Sequence, residues 1–122
     1  MEKMKILIID DEGPIADMIA DFCQAYGFDA RVLNGGQDAL EVAKDYRPDL
    51  ITVDLMMPGT SGPEVVDILK ADPQTSTIPF IIISSYGWTP DIAQTFKMAK
   101  GVVQKPITMK DLSHQIEKAL AS

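Results

Sequence analysis

Four places in this chain carry side chains that could do chemistry together: Asp10-Asp11, Asp54, Ser84 and Lys105. Each follows a short apolar run. Lys5-Ile6-Leu7-Ile8-Ile9 leads into Asp10-Asp11-Glu12, Leu50-Ile51-Thr52-Val53 into Asp54, Phe80-Ile81-Ile82-Ile83 into Ser84-Ser85, and Gly101-Val102-Val103-Gln104 into Lys105-Pro106. Runs of this kind suit strands buried on both faces of a parallel sheet. In open α/β sheets, ligands sit at the carboxyl ends of the strands. Three carboxylates, a hydroxyl and an ammonium therefore converge on one edge, and core packing does not require that. Two carboxylates about 4 Å apart repel by roughly 4 kcal/mol at an effective dielectric of 20, so three together need a cation. Oxygen donors with no His or Cys beside them favour Mg2+, or Mn2+, over zinc or copper. Mg2+ is commonly completed by a phosphate, and Lys105 offers such an anion a second counter-charge. An Asp after a strand is by itself more often a turn former. Asp54 gains its weight from its companions.

The elements between these points have to bring them to one edge. Pro14 suits a first helical position, and Ile15, Met18, Ile19, Phe22 and Tyr26 recur at helical spacing until Gly27. A second strand is expected over Asp29 to Leu33, with a turn at Asn34-Gly35-Gly36. Ala39, Leu40, Ala43 and Tyr46 mark a second helix that stops before Pro48. Pro63 opens a third, with Val65, Val66, Ile68 and Leu69 facing inward, and Asp72-Pro73 and Thr77-Ile78-Pro79 bracket a connection. Tyr86-Gly87-Trp88-Thr89-Pro90 reads as a loop, and Ile92, Ala93, Phe96 and Ala99 as a weak helix. Thr108 looks like an N-cap for a last helix with Met109, Leu112, Ile116 and Leu120 on its apolar stripe. The fold class is α/β: five βα units, with a five-stranded parallel sheet covered on both faces.

A chain of 122 residues, 46% hydrophobic and 24% charged, fits one globular domain with one modest core. Its net charge of −7 opposes direct nucleic-acid binding and attraction to anionic membranes. The single Cys23 has no internal disulfide partner and is read as a small buried hydrophobe in a reducing compartment. No apolar run reaches membrane-spanning length and the start carries no signal-peptide core, so a cytoplasmic protein is expected. His114, alone on the polar side of the last helix, and Lys97, Lys100 and Lys110 are read as solvated. Met56-Met57 are read as partial core, with the Met56 side chain near Asp54.

Asp10-Asp11, Asp54, Pro58-Gly59 with Gly62, Ser84, and Lys105-Pro106, in this order and at these strand ends, make the whole chain resemble the receiver domain of two-component response regulators. The resemblance implies a flavodoxin-like doubly wound sheet of strand order 2-1-3-4-5. It implies that Asp54 is the phosphoacceptor, taking a phosphoryl group from a histidine kinase or a histidine phosphotransfer protein. Mg2+ would be held directly by Asp11 and Asp54 and by the backbone carbonyl of Met56, with Asp10 acting through water. Ser84 would bind the phosphoryl group and report it, Lys105 would pair with one of its oxygens, and Pro106 would follow a cis peptide bond. The output would be a change in the surface of the fourth helix, fifth strand and fifth helix, read by a downstream protein or by the chain's own output domain. Residues 1–122 are expected to form a single receiver domain with no output domain. That leaves a stand-alone regulator or one domain of a longer regulator or hybrid kinase.

Two positions depart from the family pattern. Val102 stands where members commonly carry an aromatic whose rotation is coupled to the hydroxyl residue, and Ser85 stands where Ala or Gly is usual. The switch is therefore expected to run through Ser84, Ser85, Tyr86 and Trp88 instead of strand five, because a β-branched Val has few rotamers. Three other readings compete. A haloacid-dehalogenase-type Mg2+ phosphatase also uses a strand-end Asp, but its general acid two residues on is replaced by Met56. A flavodoxin-like cofactor binder cradles a phosphate in its first loop, which Asp10-Asp11-Glu12 would repel without a metal. An unphosphorylated docking module would not need the full set of site residues. The chain is thus read as a signalling phosphoacceptor that acts as an enzyme on nothing but itself.

Overall fold

The computed structural model describes residues 3–57, 59–85 and 93–121. Strands and helices alternate: β1 (Lys5–Ile9), α1 (Gly13–Ala25), β2 (Asp29–Leu33), α2 (Ala39–Tyr46), β3 (Leu50–Asp54), α3 (Gly62–Ala71), β4 (Phe80–Ser84), α4 (Ala93–Met98), β5 (Gly101–Gln104) and α5 (Met109–Ala121). The five strands form one sheet, all pairs parallel, in the order β2-β1-β3-β4-β5. The doubly wound α/β architecture expected from the apolar runs is the one observed.

The central strands separate two apolar layers, because successive side chains of a strand point to opposite faces. Leu7, Ile9, Ile51, Val53 and Ile82 pack with α2 and α3 residues such as Ala43, Val65, Val66 and Leu69. Ile6, Ile8, Leu50, Ile81 and Ile83 pack with Ala16, Ile19, Cys23, Leu112 and Ile116 of α1 and α5. Cys23 lies within this second layer as expected, and burial pushes its thiol up to about 11.

Local chemistry sets the ends. Pro14 stands in the first turn of α1. Ser61 caps α3: its hydroxyl accepts the Glu64 N–H at 3.3 Å and donates to the Glu64 carboxylate at 3.2 Å. Thr108 caps α5 by accepting the Asp111 N–H at 3.2 Å. The Lys105–Pro106 peptide bond is cis.

Several details differ from the sequence expectations. Ile68 is exposed, not inward, because Val65, Val66 and Leu69 already fill the face that α3 turns to the sheet. Met18, Tyr26 and Met109 are likewise exposed, although the Tyr26 ring packs at a tilt against Phe22 with a centroid separation of 4.6 Å. Met57 is buried, whereas Met56 is 60% exposed: the chain has left β3 and points this side chain to solvent. The loop residues Tyr86, Gly87, Trp88, Thr89 and Pro90, and Ile92 of the fourth helix, lie outside the described residues.

Candidate functional site

Parallel pairing puts all the chemical side chains at one edge. Val53 of β3 pairs with Ile9 of β1, Asp54 with Ile83 of β4, and Ser84 with Gln104 of β5. Asp10 and Asp54 therefore leave the sheet at the same level, with Ser84 one residue beyond them and Lys105 one residue beyond Ser84. The Lys105 N–H donates to the Ser84 carbonyl at 2.8 Å and ties the hydroxyl and ammonium residues together. Asp10 is fixed by its own N–H on the Leu33 carbonyl and by the Glu12 N–H, which donates to Asp10 Oδ1 at 2.9 Å. On the far side of Asp54, the Met56 N–H donates to its Oδ1 at 3.3 Å.

Lys105 Nζ sits among three carboxylates: 2.8 Å from Glu12 Oε1, 3.4 Å from Asp54 Oδ2 and 3.8 Å from Asp10 Oδ2. Asp10 and Asp54 are buried. Burial first, then the charge of Asp10, pushes Asp54 up to about 6, against the opposing pull of Lys105 and the Met56 N–H. Burial also raises Asp10, although the Glu12 N–H and Lys105 hold it down. Burial works against the Lys105 ammonium, but the hydrogen bond to Glu12 and the fields of Asp10 and Asp54 leave it above its ordinary value. One cation does not satisfy three carboxylates.

The unsatisfied remainder has the chemistry of a metal site. Ligand oxygens of Asp10, Glu12 and Asp54 all lie within 4.8 Å of one another. Asp10 Oδ2 and Asp11 Oδ1 are buried and lack a hydrogen-bond partner among the described residues. Orphaned anionic oxygens without His or Cys around them fit a hard divalent cation. Of the ligands expected from sequence, Asp10 and Asp54 lie in the close group; Asp11 does not belong to it, although its Oδ1 is buried without a hydrogen-bond partner among the described residues. Glu12 is the residue that sequence reasoning missed as a member of the site. Its signal was its place, a third consecutive acid at the N-cap of α1, where the backbone turns back over the strand ends.

Ser84 is buried at the site edge and Ser85 exposed, while Tyr86 and Trp88 lie outside the described residues. Val102 is 39% exposed on β5, an edge strand, with Val103 beside it buried.

Comparison with known proteins gives the family. The chain matches the response regulator receiver domain family over residues 6–117. It is 36% identical over 116 residues to the phosphate regulon transcriptional regulatory protein PhoB of Pseudomonas aeruginosa, covering 94% of this chain and 51% of that protein. It is 31% identical over 119 residues to the DNA-binding response regulator MtrA of Mycobacterium tuberculosis, covering 97% of this chain and 51% of that protein. The chain thus spans about half the length of these relatives. Among solved structures, the chemotaxis protein CheY4 of Vibrio cholerae superposes with a TM-score of 0.90 at 26% identity, covering 98% of this chain and 100% of that one. A response regulator from Desulfuromonas acetoxidans gives 0.85 at 28% identity, with 97% of each chain covered. With the parallel order β2-β1-β3-β4-β5, an acidic group and a lysine at its carboxyl edge, and a family match over nearly its whole length, the chain belongs to the receiver domains of two-component response regulators.

Proposed function

We propose that this receiver domain, residues 1–122, works through Asp54 as its phosphoacceptor. The observation that carries the reading is the surroundings of Asp54: a buried carboxylate at a strand end, 3.4 Å from the Lys105 ammonium and grouped with Asp10 and Glu12. Ionised Asp54 attacks the phosphorus of a donor, an Oδ–P bond forms, and the P–N bond of a phosphohistidine (or the P–O bond of an acyl phosphate) breaks. The bonding electrons leave with the imidazole or the carboxylate. Little covalent work falls to the protein, so its part is positioning and charge neutralisation. Lys105 supplies one cation. Mg2+, held by Asp10, Asp11, Asp54 and the Met56 carbonyl, would supply the second and hold Asp54 ionised. Hydrolysis of the acyl phosphate by water returns the free carboxylate.

The partners that follow are a histidine kinase or a histidine phosphotransfer protein as donor, and a downstream protein or a joined output domain as reader. PhoB and MtrA are named as transcriptional and DNA-binding regulators. The net charge of −7 leaves DNA contact to other parts of such a protein. No helix among the described residues is long and apolar enough to cross a membrane, and a cytoplasmic setting suits a kinase-fed acceptor. A signalling role without foreign substrates is favoured over a phosphatase, because exposed Met56 occupies the position a general acid would need.

Incubation with acetyl phosphate and Mg2+, followed by intact mass, tests the reading. Wild type gains one phosphoryl adduct and Asp54→Asn gains none. An adduct on Asp54→Asn as readily formed as on wild type refutes it.

A further inference from the structure

The partner nearest to Lys105 is not Asp54. Its ammonium lies 2.8 Å from Glu12 Oε1 and 3.4 Å from Asp54 Oδ2. The two carboxylates differ in freedom. Asp54 is buried, whereas the Glu12 side chain is 53% exposed. The Glu12 backbone is pinned, its N–H on Asp10 Oδ1 at 2.9 Å and its carbonyl on the Ala16 N–H at 2.9 Å. A fixed backbone with a half-solvated carboxylate can hold a cation or leave for water at little cost.

We propose that Glu12 is a positioning residue: it holds the Lys105 ammonium at the mouth of the site at rest and gives it up when Asp54 gains a phosphoryl group. This rests on the reading of Asp54 as phosphoacceptor. Two features of the geometry drive the exchange. A phosphoryl group replaces one negative charge at Asp54 with about two, and Glu12 and Asp54 oxygens lie within 4.8 Å of each other. The new charge attracts Lys105 and repels Glu12 at once. At rest, Glu12 works in the opposite direction. It competes for the ammonium that an incoming anionic donor needs, and it adds a negative charge at the entrance.

The test uses Glu12→Gln in the whole chain, with acetyl phosphate as donor and Mg2+ saturating for each variant by titration. The expected result is a KM for acetyl phosphate lowered by about 3- to 10-fold, as removal of one partly screened like charge and one competitor implies. A second readout needs no turnover: the side-chain NMR resonances of 13C,15N-labelled Lys105. In metal-free protein, Glu12→Gln should move them. Mg2+ with beryllofluoride, a phosphoryl mimic, should move wild type the same way. An unchanged KM, or Lys105 resonances that do not respond to Glu12→Gln, overturns the proposal. Absence of any phosphoryl adduct on wild type instead overturns the phosphoacceptor reading, and the metal-free NMR comparison still decides whether Glu12 holds Lys105.

Discussion

Gly62 packs directly against the backbone of Asp54: a Cβ built on it would stand 2.6 Å from the Asp54 carbonyl oxygen and 2.6 Å from Leu55 Cα. Its N–H donates to the Leu55 carbonyl at 3.2 Å, so the start of α3 is clipped onto the end of β3. Gly27, Gly35 and Gly59 have positive φ, but Gly62 does not, so the requirement here is for space.

Gly62→Ala should therefore push helix and strand end apart. Overpacking against backbone costs about 1–3 kcal/mol, and the displaced atoms belong to the residue that must face Lys105. Urea denaturation should show the lower midpoint, and intact-mass kinetics with acetyl phosphate should show slower phosphoryl uptake. A variant matching wild type in both would show that the close approach does not position Asp54.

The acidic group makes stability depend on pH in an unusual direction. Asp54 rises from the ordinary 3.8 to about 6, and Asp10 is raised as well. A carboxyl raised in the folded state binds protons more tightly there than in the unfolded chain, so stability falls as pH climbs from about 4 to about 6. Above that window the loss is complete. In metal-free buffer, Asp54→Asn should be more stable than wild type at pH 7 and nearly equal to it at pH 4. Millimolar Mg2+ should raise the stability of wild type at pH 7 far more than that of the variant. Thermal melts at the two pH values, with and without Mg2+, check all three statements. Wild type equal to Asp54→Asn at pH 7 without metal would contradict the account.

Thr52 tests the core apart from the site. It sits in the middle of β3, buried, and its hydroxyl has no hydrogen-bond partner among the described residues. Thr52→Val keeps the shape and removes an unpaired polar atom. It should stabilise the protein by about 1 kcal/mol and leave phosphoryl uptake unchanged. A destabilised variant would mean that the hydroxyl has a partner after all, such as a buried water.

The strand ends were legible because the strands are short and apolar, and β1, β3 and β4 are buried on both faces, so the polar residue that ends such a run announces the edge. Strand pairing then forces Asp10, Asp54, Ser84 and Lys105 together, which is why the site followed from order along the chain. Side-chain detail was less legible. Ile68 and Met56 are apolar yet solvent-facing, and residue type does not reveal which face of a helix or loop a crowded neighbour has already filled. Glu12 was hidden for another reason. Its role depends on a cation 93 residues away, and no local pattern records that pairing. The reason for Gly62, a contact with backbone atoms seven and eight positions earlier, was invisible without coordinates.

The last prediction concerns how the site would report its state. Val102 holds the strand-five position where an aromatic is expected, and it is 39% exposed on an edge strand. A β-branched side chain has few rotamers and cannot swing between buried and exposed states as a ring can. Ser84, by contrast, is buried at the edge beside Asp54, tied to Lys105 through its carbonyl, and followed by Ser85, Tyr86, Gly87 and Trp88. Phosphoryl oxygens at Asp54 would pull first on that hydroxyl and on the segment after it. Tyr86 and Trp88 lie outside the described residues, so the expectation rests on their place in the sequence. Trp88, the chain's single tryptophan, gives the readout. Mg2+ with beryllofluoride should change its emission. Ser84→Ala should weaken the change while the mimic still binds, and Val102→Ala should leave it intact. If NMR shifts on mimic binding are confined to β5 and the amides of 86–89 stay put, the signal does not leave through this loop.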